Sequence, residues 1–312
     1  MAIVNALTID LEDWFQGLTS TNPRIDQWPT YESRVVEATD KLLALLRAYK
    51  VEATFFTLGY VADHHPELIE RICADGHEIG VHGYYHRFIS RITPDEYARE
   101  LEMGLDALER VTGTRPVGHR APYFSVTANT PWAFEIMQDQ GIEYDSSVFP
   151  TRNMLYGFPG APRFPYRMQV REQRAALLEL PASTVKIGSK ILPMSGGFYM
   201  RTFPYRFTRW SIRQLHDAGH PVVLYVHPWE LDTGQKYNKV TRRERITHYH
   251  GRRGLEKKLH RLFTDFRFAS MRKLIEQFTW EDSPIETLEK QPAAPQDERN
   301  LIHRDQTVQT AS

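Results

Sequence analysis

Residues 76–86 read GHEIGVHGYYH. The short run Glu78-Ile79-Gly80-Val81 has the form of a strand that leads into two histidines, His82 and His86, four residues apart. Four residues of helical or turn backbone put both imidazoles on one side, where they can share a metal ion. The chain holds 13 histidines, so a chance pair of surface or helix-cap residues at this spacing is common. A catalytic zinc site takes three protein ligands and keeps one position open. The remainder of the chain must therefore supply a carboxylate, a base, an acid and an oxyanion donor.

Outward from this stretch the pattern alternates between short apolar runs and helical spacing. Val4 to Ile9 reads as a strand that ends in Asp10, Glu12 and Asp13, and an irregular loop with Trp14 and Trp28 follows. Glu32 to Tyr49 has helical spacing, and ATFFTL (53–58) is a second strand. Pro66 to Ala74 forms a helix opened by proline and closed by Gly76. Thr93 caps another helix, with proline at its first position and acid at the third. Helices over Thr130–Gln140 and Tyr205–Ala218 alternate with strand candidates at Arg115–Gly118, Leu177–Leu180 and Val222–Val226. Such alternation predicts parallel α/β units. Residues 151–174, rich in proline, arginine and aromatics, read as an inserted functional loop. Residues 232–280 read as a basic, helical appendage, and 281–312 as a disordered tail.

At 312 residues the chain can bury one large core, and 39 basic residues balance 39 acidic ones. No basic field for nucleic acid follows from that balance. The N-terminus lacks a cationic segment followed by a long apolar run, which predicts a cytoplasmic protein. No apolar run has the length of a membrane span. The single cysteine, Cys73, excludes an internal disulfide and is expected in the core.

Chemistry collects at strand ends. The acidic cluster follows the first strand, the histidines the third, Arg120 the RPVG run, and His227 the VVLYV run. In parallel α/β barrels the loops at the carboxyl ends of the strands build the active site, so these residues converge on one mouth. His64, His65, His248 and His250 lack that context and read as structural or surface residues.

The strings LTIDLED, HEIGVHGYYH, HRAPYF and LYVHPWEL resemble, in this order, the motifs of the polysaccharide deacetylases. These are metal-dependent carbohydrate esterases with a NodB-type homology domain, and the resemblance runs from about Ala6 to Leu231. The DLEDWF and HPWE forms and the terminal basic helix resemble the exopolysaccharide-locus, exosortase-associated branch. The resemblance implies a distorted, incomplete (β/α) barrel of the α/β class. It implies that a divalent ion, most simply zinc, sits on His82, His86 and one carboxylate. Asp10 is then the base, His227 the acid, and Arg120 the partner that fixes Asp10 in direction. The backbone amide of Tyr123 is the oxyanion donor, and Asp145 an orienting partner for His227. The family's first motif has two adjacent acids, whereas here Leu11 follows Asp10, so the acidic ligand is Glu12 or Asp13. Strand alternation favours Glu12; a loop that turns at Asp10 would favour Asp13.

The reaction implied is removal of N-acetyl groups from an amino-sugar polymer, oligomer or lipid-linked glycan, in association with polysaccharide biosynthesis machinery. A metal-dependent amide or cyclic-imide hydrolase of small nitrogen compounds is the alternative enzyme, because one fold hosts both chemistries. A non-catalytic glycan-binding protein is the alternative outside enzymes. Tyr84, Tyr85, Tyr123, Phe124, Phe198, Tyr199 and Trp229 can stack on sugar rings or simply pack.

Overall fold

The computed structural model of the chain describes residues 3–151, 157–170, 176–280 and 283–287. Its sheet is organised on β1 (Val4–Leu11), which is buried along almost its whole length. β1 pairs in parallel with β2 (Thr54–Thr57), β2 with β3 (Glu78–Val81), β3 with β4 (Gly118–His119) and β4 with β5 (Tyr144–Asp145). Beyond it stand β6 (Tyr166–Gln169) and β7 (Leu177–Glu179); β7 is parallel to β5 and antiparallel to β6. A separate hairpin joins β8 (Thr184–Ile187) to β9 (Lys190–Pro193). β10 (Val223–Val226) returns to the other side of β1, again in parallel.

No ladder joins β7 to β10 among the described residues. Ser183 spans that gap: its N–H donates to the Val223 carbonyl at 3.3 Å, and its hydroxyl accepts from the Val223 N–H at 2.8 Å. The parallel α/β units are those the alternating pattern predicts, and the architecture is the distorted, incomplete (β/α) barrel that the resemblance implies. The helices Val35–Tyr49, Pro66–Ala74, Pro94–Thr112, Trp132–Asp139 and Tyr205–Asp217 fill the connections. Pro94–Thr112 shows why these segments are helical. A capping box joins Thr93 and Glu96, Pro94 occupies the first turn, and Tyr97, Leu101, Leu105 and Leu108 make one buried stripe. A cap of this kind stabilises by about 1 kcal/mol.

The period of two in β1 places the site. Leu7, Ile9 and Leu11 pack with Phe55, Val81 and the helices, whereas Ala6 packs with Phe56, Tyr144 and Val223 inside the barrel. Thr8 and Asp10 share the face of Ala6, so Asp10 enters the barrel interior near its carboxyl mouth.

Four sequence expectations need revision. Cys73 is exposed, because Leu68, Ile69 and Ile72 form the buried stripe of its helix and Cys73 lies one residue further round. Residues 232–280 are not helical throughout. After the helix Arg252–Asp265, β11 (Arg267–Ala269) pairs in parallel with Val4–Ala6 of β1, and Leu255, Leu259 and Leu262 enter the main core. Within the expected tail, β12 (Ile285–Thr287) pairs with β6, while 281–282 and 288–312 lie outside the described residues. Of the expected insertion 151–174, residues 152–156 and 171–174 also lie outside them, and β6 occupies part of the rest. No described helix is long and apolar enough to cross a membrane.

Candidate active site

At the mouth of the barrel Glu12, His82 and His86 each present one ligand atom, all within 4.8 Å of one another and all buried. β1 delivers Glu12 and β3 delivers His82. The turn that brings His86 back requires Gly83 at φ +74° and holds His86 itself at φ +53°. A glycine is favoured at the first of these positions. His82 Nδ1 lies 2.7 Å from the Arg120 carbonyl, an N–H···O bond that leaves Nε2 as the lone-pair atom. Glu12 Oε1 accepts from Trp229 Nε1 at 2.9 Å. Glu12 Oε2 lies 2.6 Å from His86 Nε2, yet it has no hydrogen-bond partner.

A buried carboxylate oxygen without a donor, facing imidazole nitrogens, fits a divalent cation better than it fits a hydrogen-bonded core. Burial would push the Glu12 carboxyl up, but facing His86, His227 and His82 brings it down to about 2. Burial takes His82 down to about 3, despite Asp10 and Glu12 beside it. An anionic carboxylate and a neutral imidazole are the protonation states that metal ligation needs.

Asp10 stands beside this triad. Its Oδ1 accepts from Arg120 at 2.6 Å. The Arg120 guanidinium is fully buried; it also donates to Thr8 Oγ1, Ser146 O and Ser146 Oγ, and stacks on Phe56 at 4.4 Å. Opposite, His227 Nε2 lies 3.9 Å from Asp10 Oδ2 and 3.8 Å from Glu12 Oε1. Its Nδ1 lies 3.3 Å from Glu230 Oε2, which also accepts from the His227 backbone N–H. Burial would lower the imidazole, but Glu230, with Glu12 and Asp10, raises it to about 9. A proton is thereby stored opposite the base. Tyr123 follows Pro122 in a 3₁₀ turn at φ +56°, where a first-turn N–H has no carbonyl of its own helix to donate to. Its ring lies 4.4 Å from His86 and stacks on Phe88 at 3.9 Å.

Two expected residues are placed elsewhere. Asp13 does not join the triad: it caps the turn Trp14–Gly17 and accepts from Ser33 Oγ and the Arg34 N–H. Burial outweighs those bonds and raises its carboxyl to about 6. Asp145 does not orient His227; it lies 2.8 Å from His119 Nδ1 and accepts from Ser147 Oγ. The reason is position: Asp145 lies within β5, facing β4, whereas the carboxylate nearest His227 comes from its own turn three residues on. The Ser147 hydroxyl in turn accepts from the Ala121 N–H, so Asp145 supports the loop that carries Arg120.

Tyr123, Phe124, Phe198, Tyr199 and Trp229 line the pocket over the triad, and Tyr84 and Tyr85 do not. Gly197 allows Glu230 to approach, since a Cβ there would meet Glu230 Oε1 at 1.8 Å. The strand-end argument missed one wall entirely. Arg243, Glu244, Thr247 and His248 also line the pocket, from a segment with no adjoining strand. Only tertiary packing brings that segment over the mouth, so no periodicity could have revealed it.

Two family models match the chain: polysaccharide deacetylase over residues 21–144, and a domain of unknown function, DUF3473, over residues 146–276. The first takes in His82, His86, Arg120 and Tyr123; the second takes in His227 and His248; Asp10 and Glu12 precede both. A peptidoglycan-N-acetylglucosamine deacetylase of Bacillus cereus is 31% identical over 139 residues, 40% of this chain and 50% of the relative. A peptidoglycan deacetylase of Helicobacter pylori is 30% identical over 108 residues, 35% and 36% of the two chains. A peptidoglycan-N-acetylmuramic acid deacetylase of Bacillus subtilis, PdaC, is 34% identical over 85 residues, 27% and 18%. The chain spans half or less of the length of these relatives. A Mycobacterium smegmatis protein provisionally described as a polysaccharide deacetylase has a structure that superposes with a TM-score of 0.64 at 24% identity, over 93% of this chain and 94% of that one. An allantoinase superposes with a TM-score of 0.53 at 16% identity, over 77% and 71%. These two likenesses are of fold.

Proposed function

We propose that the chain, which carries a polysaccharide deacetylase domain over residues 21–144, is a metal-dependent hydrolase that removes N-acetyl groups from an amino-sugar glycan. The observation that carries the reading is the convergence of a two-histidine, one-carboxylate set with a buried carboxylate and an opposed imidazole in a pocket walled by aromatics. Glu12, His82 and His86 would hold a divalent ion, with zinc favoured by two imidazoles and a carboxylate. Bound there, such an ion supplies an activated water near neutral pH and polarises the acetyl carbonyl.

The chain's own residues do the rest. Asp10, fixed in direction by Arg120, takes the proton of the attacking water. The Tyr123 N–H donates to the oxygen that becomes negative as the carbonyl carbon turns tetrahedral. His227, charged and held by Glu230, gives its Nε2 proton to the departing nitrogen, which leaves as an amine beside acetate. Aromatic rings over the site provide faces for a pyranose. The DLEDWF and HPWE forms support placing the reaction in exopolysaccharide biosynthesis, alongside the machinery that assembles the polymer.

Acetate release from N-acetylglucosamine oligomers by zinc-loaded protein tests the reaction, with ring opening of cyclic ureides and imides measured in parallel. Acetate without ring opening is the expected result. Ring opening without acetate would transfer the same residues to the small-amide alternative, and oligomer binding without either product would favour the binding protein.

A further inference from the structure

The pocket has a wall that the proposed chemistry does not use. His248 lines it and is 3% exposed, and its Nε2 has no hydrogen-bond partner. Its ring stacks on Trp229, with centroids 3.9 Å apart and planes 17° apart, and Trp229 in turn stacks with His227 at 4.7 Å. His248 lies within a turn of π-helix, Arg245–Tyr249, a conformation that recurs at functional sites. This backbone is held from below by two buried guanidiniums. Arg201 donates to the carbonyls of Thr247 and His248 at 2.7 and 3.1 Å, and Arg252 Nε donates to the His248 carbonyl at 2.9 Å. From the opposite side Glu244 accepts from Thr19 Oγ1 and the Ser20 N–H. The imidazole is thus fixed in place with one edge unsatisfied.

An unpaired buried nitrogen costs about 1–3 kcal/mol, so this geometry calls for a partner that arrives with the ligand. Burial, together with the charges of Arg252 and Arg201 beside the ring, keeps it neutral. A neutral imidazole offers one N–H or one lone pair, which suits an uncharged hydroxyl or acetamido group.

We infer that His248 is a substrate-positioning residue whose Nε2 hydrogen-bonds a neutral group of a sugar held over the triad, so that residues 241–252 determine which glycan is accepted. The inference rests on the deacetylase reading for its substrate class, and extends it to a segment that reading left without a role.

The test uses the zinc-loaded full chain and the N-acetylglucosamine tetramer. His248→Phe keeps a ring against Trp229 and deletes both nitrogens, while His248→Gln returns an amide near the lost Nε2. KM and kcat for acetate release are measured, with calorimetric binding of the tetramer in an Asp10→Asn background. His248→Phe is expected to raise KM and Kd by about 3–10-fold, the range of one neutral hydrogen bond. The fall in kcat should be smaller than the rise in KM, metal content should be retained, and His248→Gln should recover part of the loss. Unchanged KM and Kd in His248→Phe would overturn the inference, leaving the nitrogen to water. Equal losses in both variants with a lowered Tm would overturn it in favour of packing. Weakened tetramer binding with no acetate from the wild type would support the role of His248 and contradict deacetylation. A wild type that neither binds nor cleaves the tetramer would overturn both.

Discussion

Two buried arginines organise the two sides of the pocket, and they do so differently. Arg120 lies 2.6 Å from Asp10, and Arg201 lies 2.6 Å from Glu230; both side chains are almost wholly removed from solvent. The other donors of Arg120 go to Thr8 on β1 and to Ser146 just after β5, so the base is pinned by the sheet itself. Those of Arg201 go to backbone carbonyls of residues 247–250, a segment that crosses from far along the chain. The carboxylate paired with Arg120 is the proposed base, whereas the one paired with Arg201 acts through His227. Arg120 therefore holds the base, whereas Arg201 holds both the carboxylate behind the acid and the wall.

The largest expected effect lies on the floor. Asp10→Asn should lower the rate of acetate release by about 10²–10⁴-fold, while one equivalent of metal is retained. A rate within tenfold of wild type would break the assignment of the base. Next come the arginines themselves. Arg120→Met and Arg201→Met each remove the guanidinium beside a buried carboxylate, and each should cost up to about 3–5 kcal/mol in denaturant titrations, less for Arg201→Met because Glu230 keeps His227. The comparison sharpens if folded Arg201→Met raises KM as well as lowering kcat while folded Arg120→Met lowers kcat alone, and it breaks if the two variants share one kinetic signature.

Glu230→Gln removes the carboxylate beside His227 and should lower kcat by about tenfold without loss of metal; a metal-depleted variant would show that Glu230 serves the triad instead. The smallest effect is one of stability against pH. Because the folded His248 imidazole titrates well below 6.5, the unfolded chain binds the extra proton as pH falls through that value. The contribution is present above pH 6.5 and is lost below it, at up to about 1.4 kcal/mol per pH unit. Unfolding titrations between pH 7 and 5 should give His248→Phe the shallower dependence, and parallel curves would count against the buried neutral imidazole.

The same division governs what could be read from the sequence. Asp10, His82, Arg120 and His227 are legible because each ends a short apolar run, and a parallel barrel gathers such ends. Glu12 over Asp13 was legible only in part. Alternation favours it, and the Asp13–Gln16 capping box is local, but the further donors around Asp13 come from residues 33–35, which no local pattern ties to that position. Asp145 was misread because a two-residue strand cannot be told from a cap without its neighbours. β11 was missed because its three residues are flanked by helix on both sides. His248 ends no strand, and its place depends on Arg201, whose bond to its carbonyl comes from 47 residues away, and on Arg252 four residues further on.

The central claim is that Glu12, His82 and His86 hold the ion while Asp10 does the chemistry beside it. Metal stoichiometry and acetate release, measured after chelation and zinc return for Glu12→Gln, Asp13→Asn and Asp10→Asn, test it most directly. The account predicts that Glu12→Gln loses the metal, that Asp13→Asn keeps both metal and turnover at reduced stability, and that Asp10→Asn keeps the metal and releases acetate about a hundredfold or more slower. Full metal and full turnover in Glu12→Gln, or a metal-free Asp13→Asn that is otherwise folded, would contradict it.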